Sequence, residues 1–182
     1  MPRISLNPPR TLINRITAAY SRRTYGKELE PALAFGHSPR ALLSYVRFEK
    51  SIEKLHALDR TLKDLAVMAA AHRVGCSWCT DFGYWSSYAA GVDEVKLQDV
   101  PRWRDSDRFS QTERLVLEYA EAMSGEVTEV TDEMVDALVE RLGNAALVEL
   151  TLMIAVENQR ARFNSALGLT SQGFKAACGT KV

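Results

Sequence analysis

The chain has few of the residues that would staple or stiffen it. Three cysteines, three histidines and six prolines occur in 182 residues. Neither sign of charge is in excess, with 23 basic and 23 acidic residues. That balance argues against a nucleic-acid binder held by bulk electrostatics. No N-terminal apolar stretch resembles a signal peptide, and no run is long enough to span a bilayer. The expected location is therefore cytoplasmic, with no membrane partner. No segment alternates apolar and polar residues with β-branched enrichment, so strands are not expected and the fold class is all-α. A chain of this length buries roughly 70% of its unfolded surface and needs no disulfide staple. In such a setting a close cysteine pair reads as catalytic or metal-binding rather than structural.

What chemistry there is lies between Asp64 and Gly91, in DLAVMAAAHRVGCSWCTDFGYWSSYAAG. An alanine-rich apolar run ends at Gly75. Cys76 and Cys79 follow at once, and a second run of small and aromatic residues leads to Gly91. Strong helix formers and the absence of proline predict a helix on each side of Gly75, which can take the left-handed conformation that ends the first. The cysteines then fall at the first turn of the second helix. There the unpaired backbone N–H groups and the positive end of the helix dipole favour a thiolate, the nucleophilic form. Two cysteines at this spacing can also close a disulfide. Zinc usually needs four ligands, and the sequence has no second cysteine pair, only Cys178 in the tail. No metal site is expected.

The remaining elements are read from their caps. Pro8 and Pro9 mark an extended arm, and Thr11 to Tyr20 reads as a helix with Leu12, Ile13, Ile16 and Tyr20 near one face. Ser38-Pro39 starts a helix to about Leu55, with Leu42, Leu43, Val46, Phe48 and Ile52 as core candidates. Asp59 caps the helix that carries Asp64 and His72. PRWRDSD reads as loop, and Ser110 to Glu113 is a capping box. A helix begins at Thr131 and ends at Gly143, and a long last helix runs to Gly168. The tail shows no pattern, and Cys178 reads as an idle thiol. Trp78, Phe82, Tyr84, Trp85 and Tyr88 read as core or as a subunit contact. Asp81 would compensate the helix dipole. The implied division is an arm with the first helix over residues 1–27, a helical domain over 28–170, and a tail over 171–182.

The order of acidic residue, apolar helix, Gly-Cys-x-x-Cys, capping-box helix and closing stretch LVELTLMIAVENQRARFNSALGL resembles the carboxymuconolactone decarboxylase-like family, in its alkyl hydroperoxidase D (AhpD)-like branch. The resemblance covers roughly residues 30–170. It implies a thiol-dependent peroxidase. Cys79 would attack the peroxide, Cys76 would be the more exposed partner that closes the disulfide, and a dithiol or protein reductant would reopen it. It implies no metal, haem or flavin cofactor, and a homo-oligomer. The branch's relay carboxylate falls on Asp64, where glutamate is usual. Its relay histidine falls on Gly83, and the histidine often found between the cysteines is replaced by Trp78. His72, two turns along the helix from Asp64, is the candidate substitute. The rival readings are a decarboxylase of a muconolactone-type substrate and a non-enzymatic redox sensor with a decayed relay.

Overall fold

The computed structural model describes residues 1–178. Every regular element among them is helical. They are α1 (Leu12–Tyr25), α2 (Glu30–Phe35), α3 (Pro39–Ile52), α4 (Arg60–Val74), α5 (Ser77–Ala89), α6 (Glu94–Asp99), α7 (Gln111–Met123) and α8 (Asp132–Ala166), with short 3₁₀ segments at Val100–Asp105 and Lys175–Ala177. The all-α expectation holds. None of these helices is long and apolar enough to cross a membrane. The chain forms two compact units. One comprises Met1–Leu55 with Ala166–Leu169, and the other His56–Ser165 with the segment from Thr170 onward.

In the first unit the N-terminal arm is held by backbone. The Arg3 N–H donates to the Leu167 carbonyl at 2.7 Å, and the Arg3 guanidinium donates to the Ala166 carbonyl at 2.9 Å. Thr11 caps α1, its hydroxyl accepting from the Asn14 N–H. The large apolar residues read on one face of α1 lie toward solvent. Leu12, Ile16 and Tyr20 are 70%, 61% and 52% exposed, so they are not core. The inward face is set by Asn14, whose side-chain amide donates to the carbonyls of Pro9 and Gly36 at 2.8 Å each, and by Ser21, which is buried. Small polar residues let α1 lie close to its neighbour, and the larger apolar ones are left outside. In α3, Leu42 and Ile52 are buried, but Leu43 and Phe48 are exposed. The helix also stops at Ile52 rather than near Leu55.

The second unit is built around α4. Leu65, Ala66, Ala70 and Ala71 have no measurable exposure. This helix packs against both α5 and α7, which explains why its apolar residues are not confined to one stripe. Its alanines keep the neighbouring axes close. Tyr84, Leu97, Val100, Val116, Leu117, Leu150 and Ile154 fill the core around it. Two of the predicted caps carry their hydrogen bonds in this unit. The Asp59 carboxylate accepts from the Thr61 and Leu62 N–H groups, and Ser110 and Glu113 close a reciprocal capping box. Gly143 breaks α8 with φ 78° and ψ 164°, a conformation that favours glycine, so the two helices read from sequence run on with a kink between them. The stretch read as loop at PRWRDSD is instead a 3₁₀ turn with Trp103 buried. The Trp103 indole N–H donates to Glu121, and the Arg104 guanidinium lies over its ring.

Candidate redox site

Gly75 ends α4 in the left-handed conformation, φ 77°, and places Cys76 as the N-cap of α5. The Cys76 sulfur accepts the backbone N–H of Cys79 at 3.2 Å, the bond a serine or aspartate side chain makes at this position. Cys76 and Cys79 are joined by a disulfide. Both are buried, Cys76 at 2% and Cys79 at 5% exposure, so Cys76 is not the more exposed partner.

A third side chain completes the site. Asn164, on α8 and 2% exposed, directs its amide nitrogen at the Cys79 sulfur from 3.5 Å and at the Cys76 sulfur from 3.9 Å. The sequence reading missed it. Its signal was there: Leu150, Ile154, Glu157, Ala161 and Asn164 recur at core-facing helical spacing, and all are buried. An amide on such a stripe needs a partner inside the protein.

Asp64 is not brought to the sulfurs. It lies near the start of α4, where its carboxylate accepts from Arg60 at 2.9 Å. Burial raises its pKa, and the Arg60 charge and hydrogen bond oppose that. Gly83 faces Met68 across the α4–α5 hairpin. Asp64 is one turn below Met68 and Cys79 one turn above Gly83, so their backbone positions are offset by roughly 12 Å of helix rise. His72, on the last turn of α4, lies at a cleft of about 440 Å³ with Met68, Ser77, Thr80, Asp81, Tyr84 and Lys175 among its walls. Neither cysteine lines that cleft. Burial first and the Lys175 charge second lower the His72 pKa, which keeps the imidazole neutral at pH 7.

Asp81 does more than compensate a dipole. It is 6% exposed, and its carboxylate accepts the backbone N–H groups of Gln172, Phe174 and Lys175 at 2.8, 3.0 and 2.7 Å. Burial alone would raise its pKa. The hydrogen bonds from this segment and from Ser171 outweigh burial and hold it below the usual carboxylate value. The tail that showed no pattern in sequence is thereby fixed across α5. Gln172 accepts from the Trp78 indole N–H at 2.8 Å, and buried Phe174 packs on Phe82 and Trp85 with ring centroids at 5.2 and 5.6 Å. Part of the aromatic face of α5 is thus covered by the chain's own C-terminal segment. Cys178 is a free, half-buried thiol.

Known proteins share this architecture. The family model of the carboxymuconolactone decarboxylase family matches residues 39–122. Uncharacterized protein YnjA of Escherichia coli (strain K12) is 35% identical over 163 residues, 89% of this chain and 90% of that protein. Among solved structures, an uncharacterized peroxidase-related protein with the alkylhydroperoxidase AhpD core, from Ralstonia eutropha JMP134, superposes with a TM-score of 0.78 at 16% identity, covering 96% of this chain and 93% of that one. The debrominase Bmp8 superposes with a TM-score of 0.80 at 20% identity, covering 97% and 93%. The family match and the sequence likeness through most of the chain lead to one conclusion: the chain belongs to the carboxymuconolactone decarboxylase family.

Proposed function

We propose that the protein is a thiol-dependent peroxidase whose redox centre is Cys76 and Cys79. The observation that carries this reading is the disulfide closed across the N-terminus of α5, with the Cys79 N–H already on the Cys76 sulfur. In the reduced state the Cys79 thiolate attacks the outer oxygen of a hydroperoxide. The O–O bond breaks, the sulfur becomes a sulfenic acid, and the leaving alkoxide takes a proton to become an alcohol. The Cys76 thiol then condenses with the sulfenic acid, forming the disulfide and releasing water. Once local opening of the buried pair admits it, a dithiol donor attacks the Cys76 sulfur at the helix cap and releases the Cys79 thiolate. Its second thiol frees Cys76 and leaves the donor as a disulfide.

A carboxylate–histidine relay has no part in this reading, because Asp64 is engaged by Arg60 and position 83 carries no side chain. His72 lies at the cleft beside the pair, which neither cysteine lines, so it is assigned no proton transfer at the sulfurs. A homo-oligomer is the proposed working form, and the exposed Leu12, Ile16 and Tyr20 stripe supports self-association.

The lost relay favours one second reading, a redox sensor whose pair oxidises slowly and does not turn over. Steady-state consumption of several hydroperoxides with a defined dithiol donor separates the two. The brominated pyrrole 2,3,4-tribromopyrrole, which the neighbour Bmp8 binds in one of its structures, serves as a comparison acceptor. Turnover that disappears in both Cys76→Ser and Cys79→Ser supports the peroxidase. Stoichiometric oxidation without turnover supports the sensor. Turnover that survives both substitutions removes the cysteine pair from the reaction.

A further inference from the structure

We propose that Asn164 is a catalytic residue of this pair: its side-chain amide donates to the Cys79 sulfur, holds it as a thiolate in the reduced protein, and stabilises it as the leaving group when the disulfide is reopened. This rests on reading Cys76 and Cys79 as a redox pair, and it assigns to α8 a part in chemistry that sequence places on α5 alone.

The two sulfurs receive donors from different elements. Cys76, at the cap, has a backbone N–H of its own helix at 3.2 Å. Cys79 lies three residues further on, inside the first turn, where the cap bond is already used by its partner. The donor that reaches it is the Asn164 amide at 3.5 Å, within hydrogen-bond range for sulfur. The same nitrogen is 3.9 Å from the Cys76 sulfur. An amide NH₂ carries two hydrogens, so one group can face both sulfurs. As the electron pair moves from the S–S bond onto Cys79, the amide is already in place to meet it. A hydrogen bond to a charged acceptor is stronger than one between neutral groups, and it gains further where water is excluded. All three residues are at most 5% exposed.

The geometry also explains how a thiol could be activated here without a relay. A carboxylate and histidine supply a base. A buried amide does not accept the proton but lowers the cost of losing it. A lower thiol pKa raises the thiolate fraction at neutral pH and makes Cys79 the better leaving group in exchange.

The test uses full-length reduced protein in a Cys178→Ser background and follows thiolate absorbance near 240 nm against pH. The rate of alkylation is assigned to each cysteine by peptide mapping. Asn164→Leu removes the donor at similar volume, and Asn164→Asp replaces it with an acceptor. Both are expected to raise the Cys79 titration by about one unit or more and to slow its alkylation at pH 7 about tenfold. Reductive opening of the disulfide by a dithiol should slow in parallel. A variant with the natural circular dichroism spectrum and an unchanged titration overturns the assignment. Should neither variant fold, the unmutated protein decides. Its Asn164 side-chain amide resonances should move as Cys79 titrates, and resonances that stay fixed overturn the proposal. None of these readings involves peroxide, so they stand apart from the outcome of the turnover assay.

Discussion

Gly83 lies directly against Met68: a Cβ built on the glycine would stand 2.8 Å from the methionine sulfur. Met68 is 1% exposed, and its sulfur must shift for any side chain to fit at position 83. The family's relay histidine would occupy this position, and the space it needs is filled from α4. Gly83→His is therefore expected to lower stability. Overpacking costs about 1–3 kcal/mol, and removing a helix-interior glycine returns at most about 1 kcal/mol. The double variant Gly83→His with Met68→Ala should recover part of the loss. Denaturant midpoints of the three proteins check this. A single variant as stable as the natural protein would show that Met68 moves freely.

Asp81 ties the C-terminal segment down by three backbone N–H groups. Asp81→Ala should leave those amides unbonded and cost about 2 kcal/mol or more, since hydrogen bonds to a charged group are the stronger kind. The amides of Gln172, Phe174 and Lys175 should then exchange with solvent much faster than in the natural protein. Hydrogen exchange read by mass spectrometry or nuclear magnetic resonance reports it, and unchanged protection would place the anchor elsewhere.

The same carboxylate sets a pH dependence. Its pKa is lowered in the folded chain because the amide donors outweigh burial. The folded protein thus binds this proton less readily than the unfolded one. The contribution to stability is complete above the unfolded value of about 4 and is lost as pH falls through the lower folded value. Protection of the 172–175 amides should decline on acidification in that window, and Asp81→Asn should remove the dependence. Protection that falls with acid equally in Asp81→Asn would assign the effect to another group.

Asp64 pairs with Arg60, whose side chain is 63% exposed, while its own is 14% exposed. Such a pair is worth at most about 1 kcal/mol. Asp64→Asn is expected to change stability by no more than that and to leave the rate of thiol oxidation within about twofold. A loss of rate of about a hundredfold would instead establish a longer proton path from α4, since positioned acid–base help is worth at least about that much.

Cys178 should stay out of the redox cycle. Burial first, and the negative charges of Glu94 and Asp81 next, push its thiol pKa up, with Lys175 opposing. Alkylation at pH 7 should label it more slowly than a free cysteine. Peptide mapping after mild oxidation should recover the Cys76–Cys79 disulfide with Cys178 unmodified, whereas a dominant Cys178 crosslink would contradict the arrangement.

The parts of this fold legible in sequence are those governed by near neighbours. The caps at Asp59, Ser110 and Gly75 are decided within a few residues, so side-chain type and spacing were enough to find them. The stripe Leu12, Ile16, Tyr20 shows the limit of periodicity: it identified a face, but Asn14 and its two carbonyl acceptors decided which face went inward. The site divides the same way. The cysteine pair at a helix start was readable locally. Asn164 meets Cys79 across 85 residues of chain, and Asp81 meets Lys175 across 94. Bonds of that range follow from how helices pack, which no local pattern specifies.

The anchoring of the tail on Asp81 has a bearing on how such a chain can diverge. The carboxylate grips main-chain N–H groups, and every residue except proline supplies one. Positions 172, 174 and 175 could therefore exchange most side chains and keep the segment in place, while a proline at any of them would remove one of the bonds. Substitutions along this stretch should be constrained at Phe174 by the rings it packs on, at Gln172 by the Trp78 indole and at Gly173 by its positive φ, while the Asp81 carboxylate itself constrains only the backbone.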